Sequence, residues 1–263
     1  MRVGLRVCVN TLYGALEGVP NLLRLFNEYQ IQASFFFAMG PDNSGRVFSK
    51  NAMQPWLEER PFQRRLRDFF RVPPQLSHKA AQIMRSVAAD GHEIGLLGYD
   101  RVGWIKKCAF ADENWTQTYI ALAVEEFEAV LHQPPKTFAA AGWQVNPFLS
   151  TCPQIPTTLP TLSGMLGVEG VTRENVHEYL YAESQYVLPN GHIYSLDAEM
   201  EGIGYLPLME KLVVMWKGFG EGVGGLGEAV NGLKGTACRY HQVGWLAEKG
   251  TGIHHAWQSV LLQ

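Results

Sequence analysis

Five short clusters of polar residues set out what chemistry this chain could perform. They are Cys8-Val-Asn10-Thr11, Leu97-Gly-Tyr-Asp100-Arg101, Trp143-Gln144, Thr157-Thr158 with Thr161, and Asp197-Ala-Glu199-Met-Glu201. Asp197 can donate a proton near neutral pH only if burial raises its pKa. Cys8 can attack a carbonyl only beside a base such as histidine, and none of the five clusters holds one. A thiol with an ordinary pKa of ~8.5 also makes a poor general base. Cys8 is therefore read as a small buried hydrophobe. Leu97 has no ligating atom, and Arg101 carries a permanent charge that repels a metal cation.

The elements that would position these residues alternate between two periodicities. Residues 2–9 read as a buried strand, and residues 17–29 as a helix with Leu22, Leu23, Leu25 and Phe26 on its apolar face. The Phe-rich run 32–39 reads as a strand buried on both sides. Residues 77–90 form a predicted helix with Ser77 as N-cap and Gly91 as its stop. A strand over 92–97 follows, then a long helix over 114–132 closed by Pro134-Pro135. Residues 137–141, 154–158 and 191–196 read as further strands. Such alternation predicts an α/β fold, a parallel sheet or distorted (β/α) barrel, over 1–263 as a single domain. Reactive groups in barrels of this kind sit at the C-terminal ends of the strands. The five polar clusters fall there.

Composition narrows the function classes. The chain has 263 residues, 46% hydrophobic and 18% charged, which suits a globular protein with a sizeable core. A net charge of −3 and the lack of any recognised motif argue against nucleic acid as a partner. The N-terminus does not read as a signal peptide, because residues 3–9 are too short and Arg6 interrupts them. Cys8, Cys108, Cys152 and Cys238 lack zinc-ribbon spacing and read as reduced thiols of a cytoplasmic protein.

Several longer segments match a known pattern: Glu17-Gly-Val-Pro20, Gly40-Pro-Asp-Asn43, Ala139-Ala-Ala-Gly-Trp143, Ile155-Pro-Thr-Thr-Leu-Pro160 and Ala198-Glu-Met-Glu201-Gly202. With them the chain resembles the NodB-type polysaccharide deacetylases over most of 2–202. The likeness runs closest to a deformylase branch that acts on an undecaprenyl-phosphate-linked sugar. It is weak over 47–76, a variable helical insertion, and past 205. In that family the first strand ends in Asp-x-Asp, one a general base and one a metal ligand. The resemblance places Cys8 and Asn10 there. It places Leu97 and Arg101 where the family has two metal-binding histidines. Gln144 falls where an arginine orients the base, and Asp197 where a histidine acts as general acid.

The resemblance therefore implies a deacetylase-like pseudoenzyme of NodB barrel fold, without metal or other cofactor. It would keep a pocket of Asn10, Asp42, Asp100, Arg101, Trp143, Gln144, Asp197 and Glu199. Its expected partners are a sugar or polyprenyl-phosphate-linked sugar, an active homologue or a pathway enzyme. The alternative is an active carbohydrate amide hydrolase running on atypical residues, perhaps Asp197 or Asp100. A third expectation is an interaction protein whose pocket is closed by Leu97, Arg101 and Trp143, with Arg101 paired to Asp197 or Asp100.

Four further stretches carry weaker signals. Residues 60–71 hold Arg60, Arg64, Arg65, Arg67 and Arg71 around a stripe of Phe62, Leu66, Phe69 and Phe70. This suits either a segment on an anionic inner-membrane surface or a packed helix with snorkelling arginines. Residues 218–235 contain eight glycines and read as a surface loop. His92 and Glu93 read as makers of turn hydrogen bonds, and His254 and His255 as solvated residues of a tail.

Overall fold

The structure, a computed structural model, describes residues 3–42, 72–149, 155, 157–166, 168–188, 190–218, 222–227, 241–247 and 254–261. Strand β1 (Val3–Val9) is buried at every position, including Arg6. It pairs in parallel with β2 (Ser34–Ala38) on one side and β4 (His192–Asp197) on the other. Strand β3 (Glu93–Gly98) extends the sheet beyond β2, and the short β5 (Val223–Gly224) lies beside the start of β1. All these pairings are parallel. That explains why the strands read as continuous apolar runs, with helices covering the outer face.

Helix α1 (Val19–Glu28) carries Pro20 in its first turn, where a missing N–H costs nothing, and buries Leu22 and Phe26 one turn apart. Phe26 meets Phe35 of β2 edge to face at 6.1 Å between ring centres. Helix α2 (Leu76–Ala89) and helix α4 (Glu113–Leu131) pack together over β3. Between them α3 (Arg101–Lys107) leaves the end of β3. The smaller α5 (Leu162–Met165) and α6 (Val176–Glu183) precede β4, and α7 (Leu206–Lys217) follows it. Strands β6 (His241–Ala247) and β7 (His254–Leu261) form a separate antiparallel pair, where the sequence reading had a tail.

Three expectations need correction. Ser77 is not the N-cap of α2: Gln75 holds that place, and the Ser77 hydroxyl donates to Glu126 Oε2 of α4 at 2.6 Å. Residues 137–141 form one bridge rather than a strand, Phe138 against Leu96. Gly142 (φ 63°) and Trp143 (φ 53°) then turn the chain through the left-handed region. The described part of 154–158 is likewise no strand. Thr158 and Leu159 each donate a backbone N–H to Ile193 O, at 3.1 and 3.2 Å, and the flanking Pro156 and Pro160 have no N–H to continue a ladder.

These bridges lie at the two edges of the sheet, and one side chain spans the gap between them. Trp143 Nε1 donates to Thr157 Oγ1 at 3.0 Å, and Thr157 Oγ1 lies 2.9 Å from Ser195 Oγ of β4. The curled sheet with its covering helices is the expected distorted (β/α) barrel. No described helix is long and apolar enough to cross a membrane. Asn43, Arg60, Arg64, Arg65, Arg67, Arg71, Cys152, Cys238 and most of the glycine-rich 218–235 lie outside the described residues.

Candidate functional site

The parallel register decides which polar side chains meet. Cys8 of β1 is paired with Asp197 of β4, and Arg6 with Ser195, so these four share one face of the sheet, the inner face. Asn10 follows on the same face, and its amide Nδ2 donates to Asp197 Oδ1 at 2.7 Å. Beyond the strand ends, two π-helical turns, Gly14–Gly18 and Met200–Gly204, pack against each other. A Cβ on Gly18 would lie 1.9 Å from Ala198 O, so only glycine permits this crossing.

Glu199 ties that loop to β1. Its Oε1 accepts from Asn10 N at 3.0 Å, Thr11 N at 2.8 Å and Thr11 Oγ1 at 2.8 Å. Its Oε2 takes a longer contact from Asn10 Nδ2 at 3.4 Å. Glu201 holds the other side of the turn, accepting from Tyr194 OH at 2.9 Å and from Asp197 N at 3.0 Å. Asp42 fixes the following residue, accepting from Leu12 N at 2.9 Å.

Burial shapes the acid–base character of this group. Loss of water around Glu199, reinforced by the charge of Asp197, pushes its carboxyl up to about 7 despite the donors facing it. The same two causes push Glu201 up to about 8. Asp197 is also raised by burial, although Arg101, Asn10 and Arg6 each pull it back. Cys8 is pushed up to about 11, chiefly by burial, and stays a thiol at neutral pH.

The end of β3 is apolar below and charged above. Leu97 is buried in a cluster with Cys8, Phe36, Trp104 and Tyr119. Asp100 caps α3, accepting from Val102 N at 3.0 Å. Arg101 begins the helix half-buried, and its charge bears on both Cys8 and Asp197. Among the described residues it forms no ion pair with Asp197 or Asp100. Gln144 is fully buried; its carbonyl accepts from Trp104 Nε1 at 2.9 Å, while its side-chain amide has no partner.

The structure thus brings Asn10, Asp197 and Glu199 into direct contact, while Asp42, from the segment after β2, holds the same loop at Leu12. Arg101 stands near Asp197, whereas Asp100 and Trp143 are engaged elsewhere, as helix cap and barrel closure. Sequence reasoning left Thr11, which shares the Glu199 carboxylate, out of the pocket, and it missed Ser195, which completes the chain from Trp143. It also passed over Arg6 as a site residue, although an arginine inside an otherwise apolar strand run was a visible signal. His92 and Glu93, read as makers of turn hydrogen bonds, instead bond to residues distant in sequence: His92 Nδ1 accepts from Ala33 N at 3.1 Å, and Glu93 Oε2 accepts from Gly227 N at 3.0 Å.

A divalent metal needs three or more ligating side chains with open positions. Among the described residues no group of three His, Cys, Asp or Glu could hold one. Glu199 is saturated by donors, the Cys8 thiol is protonated, and both Arg6 and Arg101 act on Asp197. These residues do not fit a metal centre of the hydrolytic kind.

No family model matches the chain. Curated proteins do, among them two that are each named a probable 4-deoxy-4-formamido-L-arabinose-phosphoundecaprenol deformylase. The one from Shewanella sediminis is 28% identical over 82% of this chain and 81% of its own length. The one from Wigglesworthia glossinidia brevipalpis is 26% identical over 76% and 82%. The chain is a homologue of these two proteins. Solved structures agree on the fold. A family 4 acetyl xylan esterase from Clostridium thermocellum matches this homologue with a TM-score of 0.56 at 16% identity, over 90% of this chain and 93% of that one. A CE4 family pseudoenzyme from Bacillus anthracis matches with a TM-score of 0.58 at 15% identity. The homologue is covered to 87% there and spans 65% of that protein, just under two thirds of its length.

Proposed function

We propose that the strand-end site binds an amino sugar carried on a polyprenyl phosphate, without metal-dependent hydrolysis of its amide. The ligand class comes from the names of the two relatives, which describe deformylases of an arabinose-phosphoundecaprenol. The single observation behind the second half is how Asp197 and Glu199 are spent. Glu199 anchors a loop through three short hydrogen bonds on one oxygen, and Asp197 is tied to Asn10. Neither is left in a set that could bind a cation and activate water. What remains is a polar rim of Asn10, Asp197 and Arg101 that suits hydroxyl and amide groups of a sugar.

A second reading has its own support. The relatives are named as enzymes, and that favours an active amide hydrolase working with atypical residues. In this form Asp197, raised by burial, would be the proton donor to the leaving amine. One experiment separates the readings: formamido-arabinose release is assayed on purified protein before and after loading with zinc, cobalt or nickel, with metal content measured alongside. The binding reading expects saturable lipid-linked sugar binding, no turnover and no stoichiometric metal. Turnover without metal would establish the second reading, and turnover with bound metal would sink both.

Membrane attachment through Arg60, Arg64, Arg65, Arg67 and Arg71 is part of the same proposal, since a polyprenyl ligand lives in a bilayer. Co-sedimentation with liposomes should then need anionic lipid and weaken with salt. Insensitivity to Arg64→Glu with Arg65→Glu would remove this element.

A further inference from the structure

Two side chains inside the barrel carry polar atoms without a partner among the described residues. Arg6 is 7% exposed; its Nη2 donates to Ala140 O at 3.0 Å, and its Nε has no acceptor. Gln144 is 0% exposed, and neither its Nε2 nor its Oε1 has a partner. Both abut one turn: Arg6 bonds its first carbonyl, Ala140, and Gln144 closes it. The Arg6 guanidinium leans toward the C-terminal ends of the strands. Its central carbon lies 5.9 Å from the centre of the Phe36 ring, and Phe36 is the register partner of Cys8.

A buried charge is normally paired, and a buried polar atom without a partner marks one that has yet to arrive. Among the described residues Arg6 has no ion pair. Asp197 is the carboxyl on the neighbouring strand, but it already accepts from Asn10, and its charge is shared between Arg6 and Arg101. Arg101 adds a second positive charge acting on the same strand ends. Glu199 and Glu201 are committed to the loop and to Tyr194. Two guanidinium groups against one shared carboxyl leave the inner site short of an anion.

We infer that this site takes an oxyanion of its ligand, a carboxylate or a phosphate, on the Arg6 guanidinium with the Gln144 amide beside it. The inference rests on reading the strand ends as a ligand site, and it deepens that reading by placing an anionic group of the ligand on Arg6. A guanidinium presents two parallel N–H donors to such a group, a geometry that an ammonium lacks. The arrangement is the electrostatic reverse of a metal centre.

Calorimetric titration and thermal shift at constant ionic strength test it, with inorganic phosphate, glucuronate, glucose 1-phosphate and neutral glucose as probes. Saturable binding of the anions, at least tenfold tighter than glucose, is expected. Glucuronate binding most tightly would assign a carboxylate, and glucose 1-phosphate or phosphate a phosphate group. Arg6→Gln should weaken binding at least tenfold. Because that variant can lose stability, Cys8→Asp is the second probe: it places a carboxylate beside Arg6 and should abolish anion binding, whereas neutral Cys8→Ser should keep it. Unchanged affinity in Cys8→Asp, glucose binding as tight as the anions, or no saturable anion binding would each overturn the inference. If the polyprenyl-phosphate-linked amino sugar binds with an affinity that Arg6→Gln and Cys8→Asp leave unchanged, only this inference fails and the proposed function stands.

Discussion

Glu199 offers the sharpest test of how the strand ends are held. Its carboxylate is 1% exposed and receives two backbone N–H groups and one hydroxyl on a single oxygen. Glu199→Ala removes that acceptor and leaves the Asn10 and Thr11 N–H groups buried without a partner. Each such orphan costs about 1–3 kcal/mol, so the loss is about 2–6 kcal/mol before any cavity is counted. Glu199→Gln keeps a carbonyl oxygen for the same donors. It only turns an N–H toward Asn10 Nδ2, at a contact of 3.4 Å, and should cost about 1 kcal/mol. The pH response carries a second signature. The Glu199 carboxyl stands at about 7 in the fold against an ordinary 4.5, so the folded protein holds that proton more tightly. Its contribution is full below 4.5 and fades as pH rises through about 7. Glu199→Gln cannot titrate and should flatten that slope. Urea unfolding of the three proteins at pH 5 and pH 7.5 measures both effects. Equal stabilities of the Ala and Gln variants would refute the anchoring role, and a wild-type slope of opposite sign would refute the buried acid.

Three further outcomes follow from the same geometry. Glu201, pushed up to about 8, extends the decline, so the wild-type melting temperature should keep falling between pH 7 and 8 and Glu201→Gln should remove that part. Gly18→Ala forces a methyl against a backbone carbonyl at 1.9 Å; it should cost several kcal/mol and appear as a large drop in urea midpoint, whereas Gly222→Ala, with no atom within 4 Å but φ at 83°, should cost about 1 kcal/mol of backbone strain. Trp143→Phe deletes the N–H that spans the barrel gap, and should cost about 1 kcal/mol while speeding hydrogen exchange at the Thr158 and Leu159 amides. Unchanged exchange there would show that the gap is closed without the indole.

The sheet was legible because its strands are buried on both faces and so carry unbroken apolar runs, as in residues 3–9 and 34–38. The edge segments were not, since hydrophobic pattern cannot tell a strand from a single bridge. Residues 137–141 have the composition of a strand, but two consecutive left-handed residues end the pairing after one bridge. Ser77 illustrates a related limit. A serine at a helix start has two uses, and here a tertiary partner, Glu126, outbids the local cap. The site was half legible. Asn10, Asp197 and Glu199 stood out as polar residues after apolar runs, yet their spacing in sequence could not reveal that Glu199 is consumed in anchoring a loop.

That last point separates the bonds that hold the loops from the side chains that face the interior. Glu199, Thr11, Glu201 and Asp42 act on backbone groups, and their bonds define the loops whatever the strand ends do. Cys8, Leu97 and Gln144 contribute volume to the interior, and they are buried to within 8% of full cover. Any variant that preserves those volumes and spares the loop carboxylates should fold, even if it reverses the charge facing the ligand. Cys8→Asp is such a variant, because it exchanges a thiol for a carboxylate beside an arginine that lacks one. If it raises stability while ending anion binding, the loops and the chemistry of this barrel are separable. If it unfolds the protein, Cys8 is part of the packing that the fold requires, and the volume argument fails at its most exposed point.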